Sequence, residues 1–251
     1  MNTRATITSI AIGFAMCSNI ACKKNSSDTG GTSTTAVPEI YKKIYGATDI
    51  YVEGTNIVIK CNAVPDHKSP YFQGTAWAAT KYEAYNGSNP LFSINPNRIS
   101  AQSITFKIPM NPSVNAAHSA TPMGCMGVSL NGVPFFNQYA AGGAPLTGEI
   151  NSFDQYLGHP QQTGMYHYHE EPVYLTSTKG SSALMGFLLD GFPVYGPNDM
   201  NGSAATGLDA YHGHTGATAD YPGGIYHYHA TQTSPYINGN GFYGTPGTVT
   251  Q

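Results

Sequence analysis

The sequence predicts a mainly β protein: a single β-rich domain built on an internally duplicated hairpin and histidine unit. Three observations predict it. Glycine (29 residues), proline (17) and tyrosine (18) favour turns and short strands over long helices. Apolar and polar residues alternate with period two, as in Ser103-Ile104-Thr105-Phe106-Lys107-Ile108, a half-buried strand. The third observation is a block of sequence that occurs twice.

The chain begins with Arg4 and an apolar run, residues 7–16, too short to span a bilayer. Residues 1–22 read as a signal peptide. Ala21-Cys22 resembles the cleavage and acylation site of bacterial lipoproteins, though Asn19 stands where such sites usually carry Leu, Val or Ile. Cys22 is the expected lipidation site, and a plain secretory peptide is the alternative. Residues 23–36, rich in Ser, Thr and Gly, form a tether with nothing to bury. The expectation is an exported, cell-envelope protein whose membrane partner is reached through the lipid anchor. With Cys22 acylated, Cys61 and Cys125 remain, as a disulfide or as two buried thiols.

The folded domain is expected over residues 37–251. Residues 44–61 read as a hairpin turning at Glu53-Gly54-Thr55-Asn56. A loop over residues 63–70 carries His67, which alone is a surface residue or a ligand. Residues 71–85, with Trp77, fit no single pattern. Residues 109–122 form a loop containing His118. The tail, residues 236–251, is Gly-, Asn- and Thr-rich and is expected on the surface.

The repeat spans residues 126–169 and 185–229. Met126-Gly-Val-Ser-Leu-Asn-Gly-Val-Pro aligns with Met185-Gly-Phe-Leu-Leu-Asp-Gly-Phe-Pro, each a hairpin turning at Asn-Gly or Asp-Gly. Then Asp154-Gln-Tyr-Leu-Gly-His159 aligns with Asp209-Ala-Tyr-His-Gly-His214. Last, the word Tyr166-His167-Tyr168-His169 returns as Tyr226-His227-Tyr228-His229. In a strand such a word puts its histidines on one face and its tyrosines on the other. The tyrosines are expected inside, with the histidines lining a cleft. Met126 and Cys125 read as core sulfurs.

Each half thus collects an aspartate and three histidines: Asp154, His159, His167 and His169, then Asp209, His214, His227 and His229. A His-x-His strand pair plus a third histidine is a workable three-nitrogen metal site, and imidazoles suit zinc, copper, iron or nickel. Copper or zinc is the expected cofactor, in one shared site or two similar ones. Asp154 and Asp209 are expected as ligands or as partners of the ligands' free ring N–H. The bland alternative is surface histidines and aromatic packing, but duplication of the whole set favours a metal. Preserved ends with a variable middle, eight residues from His159 to His167 and thirteen from His214 to His227, suggest ends that meet in space.

Other chemistries are excluded or weak. Lys and Arg total 11 without clustering, so no nucleic-acid surface is expected. There is no Gly-x-Ser-x-Gly, phosphate loop or dinucleotide fingerprint. Glu170-Glu171 reads as a turn. A metal-free hydrolase with a His–Asp base, or a binding module for a glycan or cell-wall ligand, stays open beside the metal reading. The residues leave open whether the protein is catalytic.

These motifs resemble the bacterial YHYH-domain family. The resemblance runs from about residue 50 to the C-terminus, through Asn62-Ala63-Val64-Pro65-Asp66-His67, Leu130-Asn131-Gly132-Val133-Pro134, Leu189-Asp190-Gly191-Phe192-Pro193 and both four-residue words. Ala63 departs from the family's glycine. The resemblance implies an exported bacterial protein, adds His67 to the candidates, and implies no set reaction.

Overall fold

The computed structural model describes residues 36–239 and 241–251. The expected signal peptide, Cys22 and residues 23–35 lie outside the described residues.

β1 (Ala47–Glu53) and β2 (Asn56–Cys61) form the expected hairpin, closing on Glu53 opposite Asn56. β3 (Ile104–Pro109) pairs with β2 and alternates as its sequence requires: Ile104, Phe106 and Ile108 are buried, and Thr105 and Lys107 are partly exposed. The ambiguous stretch holds a 3-10 turn, Pro70–Phe72, and the one-turn helix α1 (Ala78–Lys81).

The first half supplies β4 (Cys125–Ser129), β5 (Pro134–Phe136), the small pair β6 (Tyr139–Ala140) and β7 (Ala144–Pro145), β8 (Gly158–Pro160) and β9 (Tyr166–Tyr168). Helix α2 (Val173–Lys179) connects to the second half. That half supplies β10 (Leu184–Leu188), β11 (Pro193–Tyr195), β12 (Gly213–Gly216) and β13 (Ile225–His229). β14 (Thr248–Thr250) closes the chain.

The two halves share one eight-stranded sheet of order β12-β13-β11-β10-β4-β5-β9-β8. The order reads the same from both ends once equivalent strands are exchanged. The halves join where β4 pairs antiparallel with β10, Val128 facing Phe187. Leu130 N–H donates to Met185 O and Leu189 N–H donates to Met126 O, both at 2.8 Å. Partners on each side of this junction are equivalent positions of the repeat, so a pseudo-twofold axis passes through it. Gly127 and Gly186 sit at this seam because a Cβ there would lie 2.5 Å from Phe187 O and 2.2 Å from Val128 O. Only glycine allows backbones that close.

β1, β2 and β3 form a sheet of their own with the last strand, of order β1-β2-β3-β14. One expectation is corrected. The tail is not a surface segment: Ile237 and Phe242 are buried, and β14 pairs with β3. Three residues of Thr-Val-Thr suffice because β3 otherwise offers an open edge. One buried cluster joins both sheets, from Ile57, Ile59 and Phe106 to Val128, Phe187 and Val194.

Of the two alternatives for Cys61 and Cys125, the structure shows two buried free thiols. The Cys125 sulfur packs 3.6 Å from Met165 Sδ and accepts from Gln251 Nε2 at 3.2 Å. Burial pushes both thiols up to about 12. Met126 is core as expected, whereas Met123 is 55% exposed at the mouth of a cleft.

Candidate metal centres

The tyrosines of each word build the site from behind. Tyr166 and Tyr168 on β9 point into the core, as do Tyr226 and Tyr228 on β13. Each hydroxyl has an assigned anchor. Tyr166 donates to Asp154 at 2.9 Å and Tyr226 to Asp209 at 3.0 Å. Tyr168 accepts from Asn131 Nδ2 at 3.1 Å, and Tyr228 donates to Asp190 at 2.6 Å. Asn131 and Asp190 are equivalent turn residues of the two hairpins. With both tyrosines clamped, the alternating histidines must face the other way.

Asp154 and Asp209 therefore lie outside the two histidine clusters. Each accepts from a backbone N–H two residues on, Tyr156 and Tyr211, both at 2.8 Å, and shapes the turn. The turn delivers Gly158-His159 and Gly213-His214 to β8 and β12. A Cβ on Gly158 would lie 2.5 Å from the Tyr166 ring, and one on Gly213 2.5 Å from the Tyr226 hydroxyl. The glycine in Asp-x-Tyr-x-Gly-His is the gap through which the tyrosine reaches its aspartate. The same bonds leave no His–Asp base of the kind a metal-free hydrolase would need at these positions.

On the histidine face, β8 pairs His159 with His167, and β12 pairs His214 with His227. His167 Nε2 lies 3.1 Å from His159 Nε2 and 3.0 Å from His169 Nε2. His214 Nε2 lies 3.2 Å from both His227 Nε2 and His229 Nε2. Each trio has a carboxylate neighbour, Glu149 in one half and Asp199 in the other. The four ligand atoms of each group lie within 4.8 Å of one another. Glu149 Oε1 is 3.2 Å from His159 Nε2, and Asp199 Oδ1 is 3.1 Å from His214 Nε2.

The outer nitrogens decide what the inner ones can be. His167 Nδ1 bonds Met165 O (3.1 Å) and His169 Nδ1 bonds Asn137 O (2.6 Å). His227, His229 and His214 bond the carbonyls of Ile225 (3.0 Å), Gly196 (2.7 Å) and Thr206 (3.1 Å). His159 Nδ1 meets Ser152 Oγ at 2.7 Å, with the Asn95 amide nitrogen at 3.4 Å. A carbonyl only accepts, so the other five contacts put the proton on Nδ1. Those five Nε2 atoms then carry bare lone pairs, converging at separations too short to leave unpaired without cost. Metal–nitrogen bonds of about 2.0–2.1 Å place tetrahedral ligand atoms roughly 3.3 Å apart, close to what is seen. The residues present could hold a metal ion in each half.

Burial lowers the pKa of His167, His169, His227 and His229. It keeps His167 well below the usual range and pushes His169 and His229 down to about 4.

The centres are two, not one shared site. β9 and β13 stand five strand spacings apart in the sheet, about 24 Å. They also differ. The first is walled by Phe136, stacked 3.9 Å from His167, and Phe153, 4.8 Å from His159. It opens on a cleft of about 450 Å³ lined by Met123, Tyr139 and Glu149. The second leaves 22% of the His214 side chain exposed under a smaller cleft of about 280 Å³.

His67 lies in neither centre. Its Nδ1 bonds Lys68 O, its Nε2 meets the Tyr168 hydroxyl at 3.0 Å, and its ring packs on Tyr156, Tyr166 and Tyr174. Glu149 and Asp199 escaped the sequence reading because they do not align in the repeat. One signal existed: each is the sole acidic residue between its hairpin and the following Asp-x-Tyr-x-Gly-His.

A family model described as YHYH protein matches residues 105–206 and 198–240, which together hold both centres. The chain belongs to the YHYH protein family. The match begins after His67, so it is shorter than the resemblance read from residue 50 onward. No curated protein and no solved structure matches the chain. Both YHYH words lie inside the match, each on the strand its tyrosines anchor.

Proposed function

We propose that the protein is an exported metal-binding protein that holds one copper or zinc ion in each half. The convergence of three imidazole nitrogens beside a carboxylate, built twice, supports this reading. Neutral imidazoles suit both metals, and their outer N–H bonds fix the ring orientations as ligands require.

At the first centre a bound ion would supply Lewis acidity or redox chemistry. The chain's own groups orient and shield: the Nδ1 bonds set the rings, Phe136 and Phe153 exclude water, and Glu149 borders the cleft. There Glu149 either completes the ligand set or accepts a proton from a molecule in the cleft. The second centre, more open and with a smaller cleft, suits holding rather than reacting.

Export and anchoring rest on the leader. Acylation of Cys22 would tether the domain to a membrane through residues 23–36. Among the described residues no helix is long and apolar enough to cross a membrane.

Metal analysis of protein purified without chelator tests the reading. Two ions per chain are expected, with His167→Ala and His227→Ala each losing one and the double variant both. Protein that arrives metal-free and takes up neither added copper nor added zinc would sink it. Cys22→Ser should release the protein from the membrane fraction; unchanged fractionation would refute the anchor alone.

A further inference from the structure

Phe153, which packs on His159 and His169, also lines a second cleft of about 370 Å³ that the metal reading does not use. Glu170 borders it. Its side chain follows the first YHYH word, is 4% exposed, and has no hydrogen-bond partner among the described residues. Its neighbour Glu171 is satisfied by Thr176 and Gln232. Gln155, on the same cleft, has a buried Oε1 that is also without a partner. A buried polar group left unpaired costs about 1–3 kcal/mol, and native structures rarely keep one without a use. The Gln155 oxygen is such a group, and the unpartnered Glu170 carboxyl shares its cleft; the pair calls for a ligand.

The lining gives its class. No Lys, Arg or His borders the cleft, which disfavours an anion. The amides of Asn89, Asn151, Gln155 and Gln232 offer both donors and acceptors. Hydroxyl groups donate and accept; an ammonium group only donates. Ile150 and Leu157 add apolar surface for the C–H face of a ring. We propose that this cleft binds a neutral saccharide, with Glu170 and Gln155 as its inner hydrogen-bonding pair. The cleft backs onto the first centre through Phe153, contains none of its ligands, and does not need it occupied.

The test titrates ¹⁵N-labelled full-length protein with maltose, cellobiose and chitobiose, each to about 20 mM, enough to fill a millimolar site. At least one should shift the amide signals of Gln155, Glu170 and Gln232. Glu170→Ala should weaken its binding by about tenfold or more and Gln155→Ala by about three- to tenfold. The Gln155 amide bonds Glu83 and no ligand histidine, so its variant keeps the test valid if Glu170→Ala disturbs His169. Three outcomes would overturn the proposal: no disaccharide shifts these signals, both variants bind as the parent does, or benzylamine binds there and the sugars do not.

Discussion

Val128 faces Phe187 across the centre of the large sheet, and the two occupy the same position of the duplicated unit. From that pair each half runs outward, and its histidines end near an opposite edge. The centres share a sheet but no ligand, so they should load independently. Filling one with zinc should leave the affinity of the other within about twofold, as for sites well beyond contact range. Calorimetric titration of His167→Ala and His227→Ala reads each site alone; a large change in either would show coupling through the seam.

Asp154 and Asp209 do the same work in different surroundings. Asp154 is buried and accepts from Ser69, Tyr166 and the backbone, whereas Asp209 is exposed. Asp154→Ala leaves buried donors unpaired and should cost roughly 3–5 kcal/mol; Asp209→Ala should cost about 1. Urea unfolding of both variants measures the difference. Equal losses would mean that burial is not what separates the halves.

Gly158→Ala drives a methyl group into the Tyr166 ring. β8 must shift from β9 or the tyrosine must leave Asp154. Destabilisation of roughly 1–3 kcal/mol is expected, as for overpacking. The first centre should lose metal while the second keeps it. Metal content and urea midpoint, measured together, check this.

The metal-free protein should weaken in mild acid. Burial holds His169 and His229 at about 4 when folded, below the ordinary value of about 6.5 expected unfolded. Over that interval the unfolded chain binds protons that the folded chain refuses. Stability is therefore full above about 6.5, falls as pH drops toward 4, and levels below. Urea midpoints from pH 7 to pH 4 on chelated protein would show it. A flat profile would mean that these rings are not buried as described.

Cys61 and Cys125 should resist a thiol reagent in the folded state, since burial keeps both protonated. Both should react within minutes in denaturant. Rapid labelling of either in native protein would contradict its burial.

Much of the architecture was legible because it is carried by local patterns. The alternation of residues 103–108 gives β3, and Asn131-Gly132 and Asp190-Gly191 give the hairpins that meet at the seam. His167, His169, His227 and His229 were legible because spacing two apart on a strand fixes their face, and His159 and His214 because the Gly-His motif recurs in the repeat. What escaped depends on long-range partners. Thr248–Thr250 is a strand only because β3 has a free edge. Glu149 and Asp199 reach the centres from connections of unequal length, outside the register of the repeat. Asp154 and Asp209 misled because an aspartate beside a histidine motif suits a ligand as well as it suits a turn. His67 had no local clue to the tyrosine cage that holds it.

The seam at Val128 and Phe187 also bears on behaviour at low concentration. Equivalent residues meeting across a twofold is the contact a symmetric homodimer makes, yet here both partners belong to one chain. A dimer of half-length chains would come apart on dilution and expose the edges of β4 and β10. The linker through α2 removes that possibility. It also lets the two copies change separately, so one can keep a wide, aromatic-walled cleft while the other stays shallow, which identical subunits cannot do.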